Sequence, residues 1–180
     1  WKANPGFAPA ALVHAAALRR EGREAKAEEV VLEAWRSTPH PDLAAFLLAD
    51  AADPAARLRV AVKLSNAHAE HVETQYLLGR LSLAAGDLHE AGFHAERARS
   101  LAVPTRRIFL LLADIAVASK QDPATLLREA AEAPADPTWR CGQCGTAHAR
   151  WHLACPACHA PGRIAWSIPQ GAERQRLTAS

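Results

Sequence analysis

The sequence predicts an all-α fold of stacked helical hairpins that ends in a small four-cysteine metal module. Three observations predict it. Small residues, a turn glycine and a closing proline recur with a period of about 34 residues. All four cysteines fall between Cys141 and Cys158, in two C-x2-C pairs. The 180 residues are 49% apolar and 22% charged, with twelve prolines and nine glycines spread along the chain as punctuation, which is the composition of a folded globular protein.

The first hairpin starts at Ala8. Ala15 is its small residue in the leading helix, Gly22 marks the turn, and Ala27, Val31 and Ala34 share one face of the second helix before Pro39 closes the unit. This is the layout of a tetratricopeptide unit, in which small residues let two helices touch and a glycine reverses the chain. A second clean copy begins near Val72, with Leu78-Gly79 at the close contact, Gly86-Asp87 at the turn, Ala91, Ala95 and Ala98 on the second helix, and Pro104 at the end. Between them lies a degenerate unit, with Asp42 to Ala51 as one helix and Pro54 to Ala67 as the other; Pro54 suits a first helical turn. A fourth hairpin, Thr105 to Ser119 and Pro123 to Ala133, lacks the turn glycine and has Asp122-Pro123 as cap and first residue. The expected organisation is therefore a tetratricopeptide-like superhelix over residues 1–134, a metal-binding knuckle over 135–168 and a flexible tail over 169–180.

Stacked hairpins curve around a concave groove lined mainly by their leading helices. In this register the groove carries Arg19 and Arg20 from the first unit, Tyr76 and Arg80 from the third, and Arg107 from the fourth. Guanidinium groups grip carboxylates through a planar fork, so the expected ligand is an acidic peptide segment or a C-terminus of a protein partner.

After Ala135-Asp136-Pro137 the helical pattern stops. Cys141 and Cys144 form one C-x2-C pair, Cys155 and Cys158 the other, separated by Gly145 to Ala154. Two residues between cysteines let a tight turn aim both sulfurs at one ion. Gly145 permits positive φ at the end of the first turn, and Pro156 fixes the backbone of the second. Four thiolates in a closed tetrahedron suit zinc, with iron of the rubredoxin kind as the alternative. Such a rubredoxin-like or zinc-ribbon module leaves no open coordination position, so its role is structural, and the metal supplies the stability that so small a core lacks. His148, His152 and His159 are expected at the surface. Trp139, Trp151 and Trp166 are expected to pack over the metal turns and to join the knuckle to the last repeat.

The net charge is +2, too small to mark a nucleic-acid partner. No stretch approaches the roughly 20 apolar residues that span a bilayer; Ile108 to Ala118 is interrupted by Asp114. Trp1 is no initiator and the chain holds no methionine, so the sequence reads as part of a longer protein.

Asn4-Pro5-Gly6-Phe7-Ala8-Pro9-Ala10-Ala11 resembles the repeat region of the bacterial HemY family. So do Ala34-Trp35-Arg36-Ser37-Thr38-Pro39-His40-Pro41-Asp42-Leu43-Ala44 and the tryptophan-flanked cysteines ending in Trp166-Ser167-Ile168-Pro169. The similarity spans nearly the whole chain. It implies an inner-membrane protein with an N-terminal anchor that is not in this sequence, this region facing the cytoplasm, and a link to late haem (porphyrin) biosynthesis without an assigned catalytic step. The repeat-plus-knuckle layout is also similar to lipopolysaccharide assembly protein B, an adaptor that binds a membrane protease. The function expected is a non-catalytic scaffold that recruits protein partners, possible haem-biosynthesis enzymes among them. The alternative is direct haem or porphyrin binding, which His68, His71, His89 and His94 would serve. An enzyme is not expected, since no nucleophile–base signature occurs.

Overall fold

A computed structural model describes residues 4–169. They form eight helices and a small sheet: α1 (Ala8–Arg20), α2 (Glu24–Ser37), α3 (Pro41–Leu48), α4 (Pro54–Ala67), α5 (Val72–Ala84), α6 (Leu88–Leu101), α7 (Arg106–Ala118), α8 (Ala124–Glu132), β1 (Thr138–Cys141), β2 (Ala147–His148) and β3 (Ile164–Ser167). The chain divides into two compact units, Trp1–Ala131 and Glu132–Ser180. Residues 170–180, nearly all of the expected tail, lie outside the described residues.

Three helix pairs are joined by the same turn. Gly22, Gly86 and Lys120 have φ of +72°, +80° and +58°. The amide of the next residue then reaches back to the preceding turn: Arg23 to the Leu18 carbonyl at 2.9 Å, Asp87 to Ser82 at 2.9 Å, and Gln121 to Ala116 at 2.8 Å. These bonds satisfy carbonyls that a helix end would otherwise strand. Lys120 makes this turn in place of the glycine that the fourth hairpin lacks. Its Cβ costs on the order of 1 kcal/mol in that conformation.

Helix starts fall into two chemical kinds. Asp53, Asp87 and Asp122 accept amides of α4, α6 and α8 respectively, as acidic caps do. At α3 and α5 the cap is histidine: His40 Nδ1 accepts the Asp42 amide and His71 Nδ1 the Glu73 amide, each at 3.1 Å. Pro39-His40-Pro41 is thus a helix start, with His40 as cap and Pro41 in the first turn. An accepting Nδ1 places the ring proton on Nε2. Loss of hydration lowers the pKa of both rings below the ordinary 6.5, opposed at His40 by Asp42 and Glu73 and at His71 by Glu73.

That depression has a defined sign. Above pH 6.5 both folded and unfolded histidines are neutral, and the caps contribute in full. Below it the unfolded chain takes up protons that the native rings refuse, so stability falls until the folded values are passed. The urea midpoint should therefore drop between roughly pH 7 and pH 5, and His71→Asn, a cap that does not titrate, should flatten the slope. An equal slope in His71→Asn would place the pH dependence elsewhere.

The helices bury two apolar clusters. The first runs through α1–α5 and includes the fully buried Trp35, Leu43 and Leu64; the second joins Ala91, Ala95 and Ala98 of α6 to Ile108, Leu111, Leu112 and Ile115 of α7. Each helix from α1 to α6 packs on its successor, and α1 on α3, α2 on α4 and α5 on α7. Attachment of α8 is through the buried Ala130, through Leu126 on the second cluster, and through Arg106 Nε donating to the Ala130 carbonyl at 3.3 Å.

Gly79 lies where α5 crosses α6. A Cβ there would stand 3.3 Å from the Ala95 amide nitrogen, 3.4 Å from the Ala91 oxygen and 3.2 Å from Leu111 Cδ2. Two of those neighbours are backbone and cannot swing away. Gly79→Leu should cost about 1–3 kcal/mol by overpacking, read as a lower denaturant midpoint; an unchanged midpoint would contradict this crossing.

Candidate metal centre

The second unit is built around its cysteines. β1 is central in the order β2-β1-β3, antiparallel to both neighbours, with Trp139 opposite His148 on one side and Trp166 on the other. The two C-x2-C turns hang from this sheet and match each other bond for bond. In the first, the Cys141 amide donates to the Thr146 carbonyl at 3.0 Å and Gly145 to Cys141 at 2.9 Å. In the second, Cys155 donates to Ala160 at 2.9 Å and His159 to Cys155 at 2.8 Å. The residue after each second cysteine takes positive φ, Gly145 at +75° and His159 at +60°.

Matched turns converge their sulfurs. Cys141 and Cys158 Sγ are 3.7 Å apart, as are Cys144 and Cys155, and all four lie within 4.8 Å of one another. A tetrahedral zinc with bonds near 2.3 Å requires sulfurs about 3.8 Å apart. The four cysteines are therefore positioned to hold a metal ion. The spacing is too long for any disulfide, and the cysteines are free. Cys141 and Cys155 are buried at 1% exposure and pack with Trp139 and Ile164, so the ligand set is half of the unit's core.

The electrostatics favour a cation. Hydrogen bonds from Thr146, hydroxyl first and then amide, bring the Cys144 thiol down to about 6. Cys158 accepts the Ala160 amide, yet loss of hydration and the three neighbouring sulfurs push it up to about 12. One ionised sulfur thus makes the next harder to ionise, and only a cation among them relieves the repulsion. A metal ion held by all four sulfurs would supply charge and geometry there, with no open coordination position.

Trp139 and Trp166 pack edge to face with centroids 5.3 Å apart, and Trp151 joins the same cluster. His159 is exposed, as the sequence suggests. His148 and His152 depart from that expectation: both are half-buried, and His148 Nε2 lies 3.4 Å from Cys155 Sγ.

The groove residues separate into two places. Arg19 is half-buried and used within the fold, donating to the Phe46 carbonyl at 3.1 Å, pairing with Asp50 at 3.0 Å and Glu24 at 3.3 Å, and stacking 3.8 Å over the Phe46 ring. Arg20 is exposed and lines neither the concavity around Arg19, Glu24 and Asp50 nor that formed by Tyr76 and Arg80. Tyr76 and Arg80 do come together, with Arg107, along α5 and α7. They line a concavity of about 370 Å³ with Leu83, Ala84, Leu110, Leu111 and Asp114. Two guanidinium groups approach the Tyr76 ring, Arg107 at 4.6 Å and Arg80 at 5.8 Å from its centroid.

No protein-family profile matches the chain, and no curated protein is similar to it. The sequence does not single out Thr146 beside the sulfurs, and it reads His148 as a surface residue. Their only signal is position, as polar residues within four places of Cys144.

Proposed function

We propose that the chain is a non-catalytic adaptor: a tetratricopeptide-type stack that captures a protein segment in its α5/α7 concavity and carries a structural zinc knuckle. The observation that carries this reading is the concavity itself. Arg80 is exposed and has no acidic partner among the described residues; beside it lies an apolar floor that includes Leu110, 40% exposed. A segment bearing a carboxylate next to apolar side chains suits that surface. The stack reading rests on helices that pack on their next and next-but-one neighbours and on turns repeated at Gly86 and Lys120. Four converging thiolates leave no site for catalysis on the metal.

The resemblance to the HemY family supports a role for this adaptor at the cytoplasmic face of a bacterial inner membrane, held by an anchor outside this sequence, in late haem synthesis. No helix among the described residues is long and apolar enough to cross a membrane. Direct haem ligation has less support. His71 Nδ1 accepts the Glu73 amide, which keeps its proton on Nε2, and both ring nitrogens of His94 face oxygens of the fold, Gln75 Oε1 at 2.7 Å and Glu90 Oε2 at 3.5 Å.

The test is capture from solubilised membranes by the full chain, compared with Arg80→Glu, alongside titration with haemin. The expected result is a set of proteins that Arg80→Glu and high salt both lose, since exposed charge pairs are screened within about 8–10 Å, with no saturable haemin absorbance. Unchanged capture by Arg80→Glu would remove the groove from the reading, and a one-to-one haemin complex would replace recruitment with ligand binding.

A further inference from the structure

We propose that His148 donates its Nε2 hydrogen to the Cys155 thiolate and is the positioning residue that fixes how firmly the four cysteines hold their ion. The inference rests on reading those cysteines as a metal site.

The two knuckles match in their backbone but not in the side chains that reach the sulfurs. Amides serve them in parallel, Thr146 to Cys144 and Ala160 to Cys158. The side chains break that symmetry. Thr146 places its hydroxyl 3.2 Å from Cys144 Sγ, while the matching residue of the second knuckle, Ala160, has no donor. His148 places Nε2 3.4 Å from Cys155 Sγ, whose other recorded side-chain neighbour is the Cys144 sulfur at 3.7 Å.

The location of His148 makes the bond structural as well as electrostatic. β2 is only two residues long and is held to β1 by Trp139 opposite His148 and Arg140 opposite Ala147. So short a strand has little pairing energy of its own. The imidazole ties this strand, which leaves the first knuckle, to the first cysteine of the second. The ring of His152 lies edge-on to it, centroids 5.6 Å apart, and limits its rotation.

Donation needs only the neutral ring with its proton on Nε2. Four thiolates around a dication carry a net charge of −2, and an N–H aimed at one sulfur disperses part of it. Outer-shell donors of this kind are worth roughly 10–100-fold in metal affinity. A ligand role does not fit, because four sulfurs already complete the tetrahedron.

The experiment compares the full chain with His148→Phe, which keeps a ring without a donor, and His148→Gln, whose amide nitrogen reaches a similar point. Zinc affinity is read by competition with a chromogenic chelator, and the ligand set by the absorption of the cobalt-substituted protein. The phenylalanine variant should bind zinc about tenfold more weakly, the glutamine variant should regain most of that loss, and all three should give a four-sulfur cobalt spectrum. Equal affinity in His148→Phe would overturn the proposal, as would a glutamine variant no better than phenylalanine. A nitrogen ligand in the parent spectrum, lost in His148→Phe, would overturn it by making His148 a ligand. A parent chain that takes up neither zinc nor cobalt would instead overturn the metal reading beneath it.

Discussion

Cys141→Ser should strip the protein of its metal and unfold the second unit while leaving the helical signal nearly intact. Purified parent chain should carry about one equivalent of zinc, and the variant almost none. A serine hydroxyl does not ionise near neutral pH, so one corner of the tetrahedron is lost. The consequence is larger than one bond, because binding free energy in such a site is folding free energy, about 10–16 kcal/mol for structural zinc. The unit has little else to hold it: its core is Trp139, Cys141, Cys155 and Ile164, with Trp151, Cys158 and Trp166 packed against it. The tryptophan near-ultraviolet signal should therefore collapse with the metal. The helices keep their own two apolar clusters, so far-ultraviolet ellipticity should change little. A folded parent chain with four titratable thiols and neither zinc nor iron on elemental analysis would defeat the prediction. A coloured protein would assign iron in place of zinc.

The parts legible in the sequence are those that local spacing determines. Ala27, Val31 and Ala34, and again Ala91, Ala95 and Ala98, announce a buried face because three- and four-residue steps return to one side of a helix. All six are fully buried. The cysteine pairs were readable for a similar reason, since C-x2-C fixes the turn that aims both sulfurs. What escaped depends on chemistry across the fold or on an unusual residue in a familiar role. Histidine is not a standard helix cap, so Pro39-His40-Pro41 gave no hint of starting α3. Lysine is a poor choice for positive φ, and a fourth hairpin that lacks the turn glycine gives no sign that Lys120 makes the same turn. Helical register put Arg19 on a leading helix, but not against Phe46 and Asp50, which come from elsewhere in the chain. Spacing assigns a face; it does not say what that face meets.

Glu73→Gln should cost about 3 kcal/mol, the largest loss expected from a single change among the helices. Glu73 and Arg107 join the N-terminal ends of α5 and α7 through two bonds, Arg107 Nη1 to Oε2 at 3.0 Å and Nη2 to Oε1. Their side chains are only 8% and 16% exposed. Removing one member of a buried pair leaves the other's charge poorly hydrated, a cost of about 3–5 kcal/mol, and the lower end applies because Arg107 keeps some contact with water. Glutamine preserves the shape and can still accept one hydrogen bond, so the loss reports charge more than packing. Replacing both residues, as in Glu73→Leu with Arg107→Leu, removes the stranded charge and should recover much of the stability. The denaturant midpoints of the parent, Glu73→Leu, Arg107→Leu and the double variant form a cycle, and the double change should be milder than the sum of its parts. Strict additivity would mean that the two groups do not act as a pair. The same bond sets the groove, because it holds the Arg107 guanidinium 4.6 Å from the Tyr76 ring. Glu73→Gln should accordingly weaken partner capture even under conditions where the chain remains folded, which separates the pair's part in shaping the site from its part in stability.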